Sequence, residues 1–286
     1  MAPQPNLNVV SAAGFAAAFS GAFFAVPAHA DEDEGGLPPA LEFIVENEYI
    51  DAENPDFVAT VRAGVAVSPA YLGSSEYELG PSAALRLDYV RFPGGFEYGS
   101  GDAVGFRRGL GLRGSVGYIG KRDSDDYEEI EGLDDIDRAF EAGFGIGYEQ
   151  RNYRVFADVR YGFIGHHAWV GDVGADAIAY PIEGLTLTLG PRISLGDARF
   201  ADEYFGVSEE ESARSGIEAY DAEGGVLGAG VLLEARYQFN ERWGLEGSAE
   251  YTRLMNDAAE SPIAESGSED QYEFRFSLTR RISLDF

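Results

Sequence analysis

From Phe57 to the last residue the chain repeats runs of about ten residues in which apolar and polar side chains alternate, each run ending in a turn. Successive side chains of a strand point to opposite faces, so every run has one greasy face and one polar face. "FVATVRAGVAV" sets Phe57, Ala59, Val61, Ala63 and Val65 against Thr60, Arg62 and Gly64. The last run, "EFRFSLTRRISLDF", sets Phe274, Phe276, Leu278, Ile282, Leu284 and Phe286 against Arg275, Ser277, Thr279, Arg281 and Ser283. Runs of this length exceed the five or six residues usual in soluble sheets. The polar face also carries full charges, and the other face is nearly free of them. The combination predicts an all-β fold: an antiparallel transmembrane β-barrel with lipid on the apolar face and charges inside.

Eleven runs can be traced after residue 56, the segment 95–100 being short and weak. Bacterial single-chain barrels have an even number of strands. "LEFIVENEYI" (Leu41 to Ile50) supplies a twelfth, so twelve strands are expected, and ten if neither weak segment spans. The alternation assigns Arg62, Arg86, Arg107, Arg113, Arg154, Arg160, Arg192, Arg236, Arg275 and Arg281 to the interior. It adds the acids Asp88, Glu141, Glu149, Asp158, Glu234, Glu246, Glu250, Glu273 and Asp285, which leaves the lumen near neutral. Buried charges must be paired. Arg–acid ladders closing a narrow barrel are therefore favoured over a water-filled channel for small solutes, in which Arg62, Arg86, Arg192 and Arg281 would line the pore.

The chain carries a formal charge of -29. With the lumen balanced, the excess falls in the connections, such as "RDSDDYEEIEGLDDID" and "DEYFGVSEEESARSGIEAYDAEGG", which read as solvated loops without an apolar constriction. A strongly acidic chain argues against nucleic acid as a partner. No cysteine is present, which excludes disulfides and thiol chemistry. Residues 1–30 are apolar and end Ala28-His29-Ala30, the pattern of a secretory signal peptide with a small-residue cleavage site. The expected organisation is a leader (1–30), an acidic tail (31–40) and a barrel (41–286). Beyond the leader only His166 and His167 could act as a base, and no serine stands in a nucleophile motif. No enzyme, catalytic residue, cofactor or metal site is expected.

Barrels of this type place long loops outside, short turns in the periplasm and the C-terminus in the periplasm. Counting back from Phe286 puts the connections at 254–270, 197–224 and 121–137 outside, and those at 240–242, 181–184 and 150–152 in the periplasm. With eleven runs the count puts 68–80 in the periplasm.

"SPAYLGSSEYELGP", "GLDDIDRAFEAGFGIGYE", "YFGVSEEESARSGIEAYDAEGG" and "YTRLMNDAAESPIAESGSEDQYEF" resemble segments of the MipA/OmpV family, over about Phe57 to Phe286. The resemblance implies a Gram-negative outer-membrane barrel in contact with lipid and lipopolysaccharide. It also implies, through the family's name (MltA-interacting protein), a scaffold joining a lytic transglycosylase to a murein synthase. On that reading Pro69, Tyr71, Gly73, Ser74 and Tyr77 are candidate periplasmic partner contacts. Phe286 looks like the terminal signal read by the outer-membrane assembly machinery. One residue breaks the pattern: Arg280 falls in the apolar row, which predicts either a bulge at Arg280-Arg281 or a contact with a neighbouring subunit.

Overall fold

The computed structural model describes residues 23–24, 56–91, 97–99 and 109–284; of 23–24, 85–90, 97–99 and 112 the backbone alone is described. The alternating runs form strands: β1 (Phe23–Phe24), β2 (Phe57–Pro69), β3 (Tyr77–Arg91), β4 (Glu97–Gly99), β5 (Gly109–Ile119) and β6 (Ala139–Glu149). They continue with β7 (Tyr153–Ile164), β8 (Trp169–Ala179), β9 (Leu185–Gly196), β10 (Gly225–Gln238), β11 (Trp243–Leu254) and β12 (Asp270–Leu284). All lie in one antiparallel sheet of order β1-β5-β6-β7-β8-β9-β10-β11-β12-β2-β3-β4. The last strand pairs with the first long one, Leu284 opposite Phe57 and Phe274 opposite Val67. That pairing joins the two ends of the chain into a barrel wall.

The remaining seam lies between β3 and β5. These two strands run in opposite directions, so either none or two strands fit between them. The three-residue β4 and the two-residue β1 stand there, and among the described residues no ladder joins one to the other. Leu41–Ile50, the expected twelfth strand, lies outside the described residues, as do Arg107, Asp285 and Phe286. β1 falls within the expected leader.

The short β4 corrects the topology. Treating 95–100 as a full crossing displaced everything before it by one passage. β2 is antiparallel to β12, and its Pro69 end lies at the Asp270 end of β12. Pro69, Tyr71, Gly73, Ser74 and Tyr77 are therefore on the long-loop side, not beside the short turns. Gly73 C=O accepts from Ser268 N–H at 2.8 Å, within the loop before β12.

The outward row is apolar around the wall. Leu79 and Leu110 are 70% and 69% exposed, and Phe144, Ile146, Leu189, Val231 and Phe276 are exposed with them. A water-soluble sheet would hide such a surface; a bilayer is its natural solvent. Aromatic pairs mark both rims. Tyr118–Phe140, Tyr161–Trp169 and Tyr251–Tyr272 stand at the loop end, and Tyr148–Tyr153 and Tyr237–Phe239 at the turn end.

The expected bulge at Arg280-Arg281 is not there. β12 runs in regular register, Arg280 opposite Trp243 and Val61, Arg281 opposite Thr60. Arg281 is buried on the inner face and Arg280 is exposed on the outer face. Depth explains the tolerance. Trp243 is the first residue after the short turn, so Arg280 lies at the interface, where an outward Arg costs ~0–1 kcal/mol rather than the ~2–4 kcal/mol of the midplane.

The long loops are not simply solvated. They fold into a cap containing α1 (Ala198–Phe205), α2 (Glu209–Ser215), α3 (Asp257–Glu260) and α4 (Pro262–Ser266). Asp197 caps α1 by accepting from Phe200 N–H, and Ser208 with Glu211 forms a capping box on α2. Phe200, Tyr204 and Phe205 share one face of α1 and are buried with Ala168, Leu227, Leu254 and Ala258. A second cluster gathers Tyr71, Ile130, Leu133, Val207 and Ile263 from four different connections. The β5–β6 and β11–β12 connections spring from distant parts of the wall, so their contact carries the cap across the mouth. Acidic residues dominate the composition of these loops; the few apolar ones are spaced to meet.

Ile263 is fully buried in this cluster. Ile263→Ala should cost about 2–4 kcal/mol locally. Limited proteolysis should then cut 121–137 and 254–269 faster, while hydrogen exchange in the strands stays slow.

Candidate functional site: the charged interior and its cap

The inner faces of the strands hold eight arginines and nine carboxylates among the described side chains. A few pair along one strand, and most pair across adjacent strands. Some pairs reach over an intervening strand: Arg62 and Glu246 cross β12 at Ser277 and Thr279, and others cross β6 at glycine. Arg113 (β5) meets Asp158 (β7) with Nε to Oδ1 at 3.2 Å, passing over Gly145 of β6. Arg160 (β7) donates to Ser115 Oγ (β5) at 3.2 Å across Gly143. A Cβ on Gly145 would collide with the Asp158 carboxylate and with the Ala157 carbonyl. The "GFGIG" of β6 is thus a gutter that lets long side chains lie across the wall.

Three groups of charges result. Near the cap, Arg160 binds both Glu141 (Nε to Oε2, 2.8 Å) and Asp172. Glu141 also accepts from His166 Nε2 at 3.1 Å. His166 Nδ1 accepts from Ala168 N–H at 3.1 Å, which sets the tautomer and leaves neither nitrogen free for general-base work. Its ring lies edge-on to Phe200 and Tyr204 of α1, so this histidine ties the cap to the wall.

In the second group Arg113, Arg154 and Arg192 surround the inward ring of Phe156, at 4.1, 5.6 and 5.2 Å from its centroid. Asp176 joins Arg154 and Arg192, the latter at 2.7 Å. The third group lies on the opposite wall. Arg62 (β2) and Arg236 (β10) converge on Glu246 (β11), Arg236 also reaches Glu234 at 2.8 Å, and Arg275 meets Glu273 at 2.6 Å. Glu250 lies on the same inner face as Glu246. Arg86 and Asp88 belong to the stretch of β3 described by backbone alone.

Reading the sequence missed Asp172 and Asp176, because the phase of "AWVGDVGADAIAY" is ambiguous. It also missed Phe156. Strict alternation from Arg154 places this ring inside, between Arg154 and Asp158.

Under the cap, Tyr71 is buried and its hydroxyl donates to Glu129 at 3.0 Å. Burial and the nearby carboxylate raise its phenol above the ordinary value. Glu211 is held below the usual carboxylate range: partial burial opposes this, and hydrogen bonds from Ser208 and from Asp134 N–H outweigh it. Ser74 is fully buried, and Tyr77, 40% exposed, accepts from Tyr272 N–H through its hydroxyl. Of the five residues read as a periplasmic contact, Tyr71, Gly73 and Ser74 are buried in the cap's base.

A family model described as MltA-interacting protein MipA matches residues 61–282. The chain belongs to this family. It is an outer-membrane protein with the antiparallel barrel fold. YiaT of Escherichia coli is 31% identical over 144 residues, 49% of this chain and 56% of that protein. The MltA-interacting protein of Escherichia coli is 29% identical over 155 residues, 52% of this chain and 59% of that protein. The chain thus spans a little over half the length of the curated relatives it matches. Among solved structures, an outer membrane channel of Pseudomonas putida F1 covers 84% of this chain and 100% of its own, with 10% identity and a TM-score of 0.41.

The gutter makes a specific demand on MipA-family packing here. Gly145→Val should destabilise the barrel by about 1–3 kcal/mol through overpacking and separate Arg113 from Asp158. Heat-induced loss of the compact band on unheated gels should occur at lower temperature than in the parent chain.

Proposed function

We propose that this barrel is a non-enzymatic scaffold that holds a lytic transglycosylase, and with it a murein synthase, at the inner face of the outer membrane. The observation that carries the reading is the family match, whose description and whose Escherichia coli relative are both named for interaction with MltA. Two features of the chain support it. The interior is filled by paired charges and the cap crosses the loop-end mouth, which leaves surfaces rather than a pore to act. Both nitrogens of His166 are also engaged, which removes the one buried base that could have served catalysis.

The contact surface lies at the turn end, in the connections 150–152, 180–184 and 239–242. Ile182 and Phe239 are exposed there, 62% and 47%, beside Glu183, Asn240, Glu241 and Arg242. Apolar side chains ringed by polar ones at a rim suit a protein partner. The segment 68–80 is no longer a candidate, because it belongs to the cap.

The test is affinity capture of the tagged full chain from detergent-solubilised envelopes. A murein-cleaving transglycosylase should be recovered, and Ile182→Asp with Phe239→Asp should reduce recovery about tenfold or more. Equal recovery by the parent chain and by an unrelated tagged barrel would refute the scaffold reading.

A further inference from the structure

Among the described side chains the outward row of the barrel contains two arginines, Arg253 and Arg280. They are treated differently. Arg253 stands at the loop end and is neutralised within the chain, by Glu269 at 2.6 Å and Asp270 at 3.1 Å. Arg280 stands at the turn end, and no described carboxylate meets it. Its guanidinium lies instead over the Trp243 ring, 5.0 Å from the centroid. Val61, opposite it on β2, and Leu278 and Ile282, beside it in the outward row, are apolar.

An indole face stabilises a guanidinium electrostatically but accepts none of its five N–H donors in a conventional hydrogen bond. The stacking fixes the plane of the group and leaves its edges open. Tyr237 and Phe239 stand on the neighbouring strand and turn, so this cation sits within the turn-end aromatic girdle. That is the depth of lipid headgroups in the periplasmic leaflet. The natural acceptor there is an oxygen pair of planar fork geometry, which a phosphodiester supplies.

We propose that Arg280 and Trp243 form a binding site for an anionic phospholipid of the periplasmic leaflet, with the headgroup phosphate on the guanidinium and the acyl chains along Leu278 and Phe276. The indole holds the guanidinium toward the interface, and the phosphate replaces the carboxylate that Arg253 finds within its own chain. This site is independent of the scaffold reading and of the interior charges.

The chain has two tryptophans, Trp169 and Trp243, at opposite rims. In a Trp169→Phe background, Trp243 fluorescence reports this site alone. The protein would be reconstituted in phosphatidylcholine vesicles containing brominated phosphatidylglycerol, and quenching compared with brominated phosphatidylcholine. One interfacial arginine corresponds to a preference of about fivefold for the anionic lipid. Arg280→Gln should bring the preference to about one, and Arg280→Lys, which keeps the charge but not the planar fork, should leave an intermediate preference. Gel mobility of the unheated variants establishes that each has folded. No preference in the parent protein, or a preference that survives Arg280→Gln, overturns the proposal. In detergent micelles carrying brominated phosphatidylglycerol, relief of Trp243 quenching by millimolar inorganic phosphate would assign the site to free phosphate and overturn the lipid.

Discussion

The structure depends on getting long charged side chains past one another inside a narrow wall. A lone ionised group in that interior would be strongly unfavourable, so each arginine must find a carboxylate within its reach. Most find it on an adjacent strand, as Arg154 and Arg192 do in Asp176 and Arg160 does in Glu141, but some neighbours are of the wrong kind: Asp158 stands directly opposite Asp172. Elsewhere side chains reach across two strand spacings, in places over glycine. Arg113 and Asp158 pass over Gly145, and Arg192 reaches the Phe156 ring over Gly174. The high glycine content is therefore a packing requirement of the charges, as much as of the turns.

The cap follows from the same constraint at one end. Glu141 and Arg160 lie where the wall meets the loops, and His166 continues their network upward onto α1. The cap's apolar clusters then draw in every described connection at that end. Tyr71 from the β2–β3 connection and Ile263 from the β11–β12 connection meet in one core, beneath an exterior of carboxylates. A barrel so arranged presents an acidic plateau on one side of the membrane and short, partly apolar turns on the other. The scaffold reading uses the second surface, and the lipid site sits at its rim.

Much of this was legible in the residues because a membrane barrel has a simple code. Period-two alternation with charges on one face specifies strand, wall and environment together, and it located the strands from β5 to β12 closely. Errors came where the code is weak. In "GFEYGSG" too few side chains alternate to tell a three-residue strand from a crossing, and one miscount inverted the side of 68–80. In "AWVGDVGADAIAY" small residues occupy both faces, so Asp172 and Asp176 were lost. Phe156 was left unplaced; Arg113 and Arg192, two of the three guanidiniums around its ring, come from other strands, a relation no local window contains. Arg280 misled for the converse reason. A single outward charge looks like a break in phase, whereas depth and a cross-strand indole make it tolerable in a regular strand.

The central claim is that paired charges and the cap close this barrel. Single-channel recording of the purified, folded chain in planar bilayers tests it most directly. The account predicts a silent membrane at moderate voltage, with conductance steps emerging only when Glu246 and Asp158 are both replaced by alanine. Frequent, uniform steps from the unaltered protein would contradict it.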